Sequence, residues 1–172
     1  MNQNINIVTA SLDDASSLGF IQSQTWLDSY VNEEQGIFKA DIQAKVDQWN
    51  KDGDQRIAAE LSKTNSHTWV AKDGDKVIGF AAVLKDANEN RIQALHVLPE
   101  YQGQGIGTAL LKKALEWLGV EKKIIIEVVA YNVRAQDLYQ KFGFKIVGDA
   151  LDDPIVLPSG KNIPKVLMVR GA

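Results

Sequence analysis

The feature that most constrains the fold is a sudden change of residue pattern close to position 100. A β-type run at residues 91–98 stops at Pro99, which has no N–H to donate to a sheet. A glycine cluster follows at residues 102–108, and the apolar residues then recur with helical spacing from Ile106 to Leu118. The pattern therefore predicts a strand, a glycine-rich loop and an amphipathic helix in direct succession.

Strand and helix patterns alternate along the rest of the chain. We expect strands near residues 5–8, 68–71, 77–84, 124–130, 144–147 and 166–169, with a hairpin turn at Asp73-Gly74-Asp75. We expect helices from a cap at Ser11 towards Tyr30, around residues 42–49 and 57–61, and from a cap at Asn132 to Gly143. No linker or repeat interrupts these patterns, which predict one α/β domain over residues 1–172.

The composition argues against several classes of partner and site. The chain has 172 residues and a net charge of −3, so we expect no nucleic-acid partner. It has no cysteine and only two histidines, so we expect no metal site. No segment approaches the ~20 apolar residues of a bilayer span, and the N-terminal residues lack a signal pattern. We therefore expect a cytoplasmic protein without a membrane partner.

The glycine cluster suits an anionic ligand. Residues without a Cβ let the main chain approach closely, and the N–H groups of a helix's first turn carry partial positive charge. A P-loop is excluded because no glycine here precedes the required lysine. A dinucleotide fingerprint fits poorly, since Thr108 replaces its last glycine and Glu127 lies inside a strand. From the residues alone, the cluster could also be only a tight strand-to-helix turn.

Two motifs extend beyond the glycines themselves. Gln102, Gly105 and Gly107 match Gln/Arg-x-x-Gly-x-Gly/Ala, directly after the run Leu-His-Val-Leu-Pro-Glu-Tyr at residues 95–101. The second motif, Asn-x-x-Ala-x-x-x-Tyr-x-x-x-Gly-Phe, is matched by Asn132, Ala135, Tyr139, Gly143 and Phe144. In both motifs and in their order, the chain resembles the GNAT superfamily of N-acetyltransferases. Weaker likeness in the first helix and the early hairpin extends the resemblance over nearly the whole chain.

The resemblance implies a fold and a coenzyme. The fold is a mixed, mostly antiparallel central sheet flanked by helices, with two central strands that splay apart to admit a thioester. Acetyl-CoA is the implied acyl donor, with its pyrophosphate on the amides of the cluster and its pantetheine beside the preceding strand. The implied coenzyme-binding residues are His96, Val97, Gln102, Gly103, Gln104, Gly105, Ile106, Gly107, Thr108, Asn132 and Tyr139.

Tyr139 is the candidate general acid that protonates the CoA sulfur. A phenol carries a proton at neutral pH, and its position matches the tyrosine of the family. The alternative is an aromatic residue packed beside Leu138 and Phe142, with its hydroxyl satisfied elsewhere. Asn132 can bond pantetheine, cap its helix, or do both.

The general base is open at this stage. Many relatives carry a glutamate on the strand before the loop, where this chain has Arg91, Gln93 and His96. His96 has a suitable intrinsic pKa of ~6.5, yet a packing role fits it equally well. Glu89 could act through a water molecule.

The acceptor side is the least determined part of the interpretation. Trp26 and Tyr30, spaced i and i+4 on the first helix, are candidate acceptor-binding residues, although such a pair is more often core. The loop at residues 152–161, with Asp152 and Asp153, could attract a cationic amine. The sequence thus predicts an acetyl-CoA-dependent N-acetyltransferase, monomer or homodimer, acting on a primary amine of a small molecule or peptide. The alternative is a CoA-binding regulatory or interaction module with little turnover.

Overall fold

The computed structural model describes residues 5–150 and 154–171. Its helices are α1 (Ala15–Ser29), α2 (Lys39–Trp49), α3 (Gly53–Leu61), α4 (Ile106–Leu118) and α5 (Val133–Lys141). Its strands are β1 (Ile5–Thr9), β2 (Ser66–Asp73), β3 (Lys76–Lys85), β4 (Asn90–Val97), β5 (Ile124–Val129), β6 (Lys145–Asp149), β7 (Ile155–Val156), β8 (Asn162–Ile163) and β9 (Lys165–Arg170). In the described part of the chain, no helix has both the length and the apolarity that a bilayer crossing requires.

Seven strands form one sheet in the order β1-β2-β3-β4-β5-β9-β6. Neighbouring strands are antiparallel except for β4 and β5, which run parallel. The short strands β7 and β8 form a separate hairpin. The predicted α/β class, with a mixed and mostly antiparallel sheet flanked by helices, is therefore confirmed.

The parallel pair in the centre of the sheet opens almost at once. Strands β4 and β5 pair only at Asn90 with Ile124 and at Arg91 with Ile125, near the beginning of both strands. Beyond these positions the two strands separate, which confirms the predicted splay. The gap leaves one edge of β4 without a strand partner among the described residues.

Hydrogen bonding to β3 shows which main-chain groups of β4 face this gap. Leu98 N donates to Ile78 O at 2.9 Å, and Val97 lies opposite Gly79. Because antiparallel residues alternate between bonded and non-bonded pairs, the N–H and C=O of Val97 and of Leu95 point away from β3. These groups form an open hydrogen-bonding edge that faces β5.

Two apolar clusters hold the helices against the sheet. The main core lies between strands β2, β3, β4 and β5 and the inner faces of α1 and α4. Leu110, Leu111 and Ala114 are fully buried there. The second core, made by Trp26, Ile37, Ile42, Val46, Val129, Leu157 and Ile163, joins α1 and α2 to the end of β5 and to the β7–β8 hairpin. Each fully buried aliphatic side chain contributes ~1.5–3 kcal/mol. The second core therefore fixes one wall of the gap.

Local signals account for most of the element ends. Gly74 adopts φ 59° in the predicted β2–β3 turn, and Gly143 adopts φ 84° just after α5. Asp14 accepts from the N–H of Ser11 at 2.8 Å, as predicted for the first cap, and it also pairs with Lys72 at 2.8 Å. The β7–β8 hairpin was not predicted, because two-residue strands carry no measurable alternation.

Candidate active site

A cavity of about 600 Å³ fills the gap between β4 and β5. Its walls come from α1, β4, the glycine loop, β5 and α5. Of the predicted site residues, those that line it are Tyr30, His96, Val97, Gln102, Gly103, Gly105, Gly107, Thr108, Asn132 and Tyr139. The fold thus brings together two motifs that lie about thirty residues apart in the sequence.

Three predicted residues do not line the cavity with their side chains. Ile106 is buried in the main core and anchors the first turn of α4. The exposed Gln104 side chain donates to Glu100 O at 3.4 Å. Trp26 lies in the second core, the alternative role considered for it, between Tyr30 and Trp49 at ring separations of 4.3 and 4.0 Å.

The glycine loop presents unpaired amides at the end of a helix. Gly103 and Gly105 have φ of 77° and 83°, a region that side chains with a Cβ rarely adopt. Gly105 is the N-cap of α4, and no side chain caps this end. In the described structure, no acceptor is bound by the N–H groups from Gly103 to Thr108. These amides form an anion-binding surface, reinforced by the dipole of α4.

A side-chain bridge closes one end of this surface. Gln102 Nε2 donates to Val97 O at 3.0 Å, and Arg134 Nη1 donates to Gln102 Oε1. Arg134 lies in the first turn of α5, so its guanidinium reaches across the gap to the loop. The sequence analysis missed Arg134, because only the fold brings that helix turn close to the glycines. The bridge adds one cation to an otherwise uncharged cradle.

Tyr139 places a phenol inside the cavity. Its side chain is 3 % exposed and packs edge-on against Phe144 at 5.6 Å. In the described structure the hydroxyl makes no hydrogen bond. Its oxygen is not fully buried, so it remains accessible from the cavity. Burial, and then the neighbouring Tyr30, raise the pKa of this phenol far above its usual value. Tyr139 therefore stays protonated over the physiological range and can donate its proton only to a strong base.

Asn132 connects β5 to α5. Its Oδ1 accepts from Ala135 N at 3.1 Å, which confirms the predicted helix cap. Gln136 Nε2 donates to Val129 O and Ala130 O at 3.2 and 2.8 Å, so the same helix turn also holds the end of β5. The cap occupies only the oxygen of the Asn132 amide, which leaves its NH₂ group for the cavity.

His96 projects from the face of β4 that carries α1. Its Nδ1 lies 2.9 Å from Thr25 Oγ1, and its ring packs against Phe80 at 5.3 Å. Burial lowers the pKa of the imidazole to about 4. His96 is therefore neutral at physiological pH.

Glu127 brings a carboxylate to the same side of the cavity. It lies two residues before Val129, whose side chain belongs to the second core, so both face α1 and α2. The Glu127 side chain is 26 % exposed, lines the cavity and pairs with the buried Nζ of Lys165. A single charged residue in a run of isoleucine and valine was the available signal, but Glu127 entered the sequence argument only where the dinucleotide fingerprint was found to fit poorly.

The other candidate bases have different surroundings. Glu89 pairs with Arg91 and, at 2.9 Å, with Lys123, away from the cavity wall. The hydrogen bond from Lys123 is the main cause that lowers the pKa of this carboxyl. Gln93 lines the cavity, but an amide cannot accept a proton at neutral pH. Glu127 and His96 are the remaining groups on the α1 side that could do so.

The β7–β8 hairpin packs on the second core and does not itself line the cavity. Lys161, at its turn, donates to Gly36 O and pairs with Asp41 at 3.3 Å, so the hairpin is held against the loop before α2. Asp152 and Asp153 lie outside the described residues. Within the ranges 5–150 and 154–171, no three His, Cys, Asp or Glu side chains gather as metal ligands would.

Comparison with known proteins identifies the family. The sequence model of the acetyltransferase (GNAT) family matches residues 28–144, about two thirds of the chain. An uncharacterized N-acetyltransferase of Mycobacterium tuberculosis is 32% identical over 104 residues, which cover 54% of this chain and 62% of the relative. The N-alpha-acetyltransferase RimI of the same organism is 33% identical over 95 residues, covering 52% and 58%. The chain therefore belongs to the GNAT family, although it spans only about six tenths of these relatives.

Solved structures agree with the fold. The PaiA N-acetyltransferase from Thermoplasma acidophilum, in complex with coenzyme A, superposes with a TM-score of 0.74. The superposition covers 98% of this chain and 99% of that one at 20% identity. A GCN5-related N-acetyltransferase from Kribbella flavida matches over the whole of both chains with a TM-score of 0.69 at 21% identity.

Proposed function

We propose that the protein is an acetyl-CoA-dependent N-acetyltransferase that transfers the acetyl group directly to a primary amine. The observation that carries this proposal is the row of unpaired amides from Gly103 to Thr108 beside the open edge of β4. A diphosphate needs several N–H donors at a helix N-terminus, and an extended pantetheine needs an open strand edge. The two surfaces meet at Val97. The coenzyme A complex of the Thermoplasma protein, which shares this fold, supports the proposal.

The coenzyme would lie along one continuous path. Its pyrophosphate takes the amides of the glycine loop, with Arg134 close to the same charge. Its pantetheine pairs with the N–H of Val97 and the C=O of Leu95, because Val97 O already accepts from Gln102, and Asn132 can donate from the opposite wall. The thioester then lies deeper in the gap, between His96 and Tyr139.

The chemistry requires two proton transfers. The amine nitrogen attacks the thioester carbon, and an unpaired N–H of β4 stabilises the oxygen that becomes negative. Glu127 takes the proton that the amine loses, since its carboxylate lies on the α1 side, where the acceptor enters. The carbon–sulfur bond then breaks, and Tyr139 gives its proton to the departing sulfur. A thiolate leaving a buried site is basic enough to take a proton from a phenol.

The acceptor class follows from the carboxylate of this wall. Glu127 is a carboxylate on the α1 side of the cavity, and although Lys165 shares its charge, its oxygens can accept a hydrogen bond and a proton from an amine there. Tyr30 lines this wall, and Tyr131 holds its main chain by donating to Tyr30 O at 2.7 Å. A small molecule or a peptide could present such an amine. Action as a monomer or homodimer in the cytoplasm, without nucleic acid, metal or membrane, stays a prediction.

Release of free thiol tests the activity directly. Purified protein is incubated with acetyl-CoA and a panel of primary amines that includes peptides with free N-termini and lysines, and free CoA is followed by a thiol reagent. We expect release that depends on one class of amine and forms the acetylated product. Tight CoA binding without release above background for every amine would favour the CoA-binding module instead.

A further inference from the structure

Three short contacts converge on the hydroxyl of Thr25. This side chain is buried in α1, and its Oγ1 lies 2.9 Å from Ile21 O, 3.0 Å from Gln22 O and 2.9 Å from His96 Nδ1. A hydroxyl has one proton to give, and the two carbonyl oxygens can only accept. If the hydroxyl proton did not lie between Oγ1 and these carbonyls, the lone pairs of the oxygens would repel each other at 2.9 and 3.0 Å. The hydroxyl proton therefore points to the carbonyls of the preceding helix turn.

The direction of the hydroxyl proton determines which ring nitrogen of His96 is protonated. The lone pair of Thr25 Oγ1 faces Nδ1, so the 2.9 Å contact is a hydrogen bond only if Nδ1 donates. A neutral imidazole has one N–H, so Nε2 is left with a lone pair. In the described chain, Nε2 makes no hydrogen bond, and it is not fully buried. His96 lines the cavity. The lone pair is thus open to the cavity.

We propose that Thr25 holds His96 in the Nδ1–H tautomer, so that Nε2 accepts a hydrogen bond from the acceptor amine and positions it. This inference rests on the proposed function. A neutral primary amine has two N–H groups. One supplies the proton that Glu127 takes when the nitrogen attacks, and the other donates to Nε2 of His96, so acceptors on both splayed strands orient the nitrogen. A secondary amine has a single N–H and cannot satisfy both groups, so the pair selects primary amines.

The tautomer is measured without any turnover. Nitrogen NMR of ¹⁵N-histidine-labelled protein reports which ring nitrogen carries the proton, and a His67→Gln background leaves His96 as the one observed ring. We expect a neutral ring with Nε2 unprotonated, and a shift towards the Nε2–H form in Thr25→Val. A wild-type ring protonated at Nε2 would overturn the proposal. These measurements stand even if no amine is acetylated, so they separate this inference from the proposed function.

Kinetics test the positioning of the amine. In Thr25→Val the kcat/KM for the amine should fall about tenfold, the usual size of one lost hydrogen bond, while the Kd for acetyl-CoA stays unchanged. Thr25→Ser keeps the hydroxyl and should restore both the tautomer and the rate. An unaltered kcat/KM in a Thr25→Val protein whose tautomer has shifted would refute the positioning role. An equal loss in Thr25→Ser would also refute it, because a purely steric defect then explains the change.

Discussion

The two sides of the cleft are built in different ways. The coenzyme side consists of main-chain groups from one continuous segment, β4 and the loop into α4. The proposed acceptor side consists of side chains from separate segments, with Thr25 on α1, Tyr30 just after it, His96 on β4 and Glu127 on β5. Backbone recognition needs glycines and a helix start, which are local features. Recognition by side chains needs the tertiary structure to bring them together.

The largest effect is expected from a substitution that disables the proposed acceptor side and leaves the coenzyme side intact. Replacing Glu127 with Gln removes the proposed proton acceptor, and kcat/KM for the amine should fall about a thousandfold. Acetyl-CoA affinity, measured by calorimetry, should remain within twofold of wild type.

Two companion variants make the Glu127 result specific. Glu89→Gln removes a carboxylate that pairs with Arg91 and Lys123 outside the cavity, and it should leave kcat/KM unchanged. Because Glu127→Gln deprives the buried Lys165 of its partner, Glu127→Gln/Lys165→Met checks that the loss is not a folding defect. Full activity in either Glu127 variant would remove the carboxylate from the mechanism.

The second largest effect is expected from a substitution at the point where the two sides of the cleft meet. Tyr139→Phe removes the proton for the leaving sulfur, and kcat should fall about a hundredfold while the Kd for acetyl-CoA changes little. Burst or single-turnover kinetics would show whether the chemical step limits the rate. Tyr131→Phe removes a hydroxyl that supports Tyr30 without lining the cavity, so it should affect the KM for the amine and leave the single-turnover rate at saturating amine unchanged. An unchanged single-turnover rate in Tyr139→Phe would exclude the acid role.

The coenzyme side could be predicted largely from the sequence. Pro99 ends β4, Gly105 starts α4 with a positive φ, and Asn132 caps α5, all as local patterns predicted. Each of these signals acts within a few residues, so no tertiary information is needed to interpret it. The mixed, mostly antiparallel sheet and its splay followed only from the family resemblance, and the order of the strands was not predicted, because pairing between distant segments leaves no local pattern.

The side chains of the proposed acceptor side could not be brought together by local patterns, for the same physical reason. Trp26 and Tyr30 are neighbours at the end of α1 and both contact the second core, but only Tyr30 also lines the cavity. Thr25 carries no sequence signal, since its role depends on His96, which is 71 residues away. Glu127 stood out in an apolar strand, but only the packing of Val129 shows which face it occupies. Side-chain constellations of this kind require the fold itself.

A third change breaks the coenzyme side alone. Gly105→Val adds a branched side chain where φ is 83° and no protein atom lies within 4 Å of the new Cβ, so the group intrudes on the ligand surface. The loss of charge-assisted bonds should weaken acetyl-CoA binding about fiftyfold by calorimetry. Gly74→Val, at φ 59° in the β2–β3 turn, imposes a similar backbone cost away from the cavity and should bind normally. Equal weakening in both variants would mean that the cradle is placed wrongly.

The smallest effect concerns the neutral state of His96 and is measured as stability against pH. Because its pKa is lowered from 6.5 to about 4 in the folded protein, the unfolded chain binds more protons between these values. Folding stability should therefore fall as the pH drops, with about 2 kcal/mol of this contribution lost between pH 7 and pH 5. Urea unfolding of wild type and His96→Gln at both pH values isolates the contribution, since other titrating groups are common to both proteins. If the two proteins lost equal stability, His96 would not be held neutral, and its Nε2 could not serve as the acceptor that the amine requires.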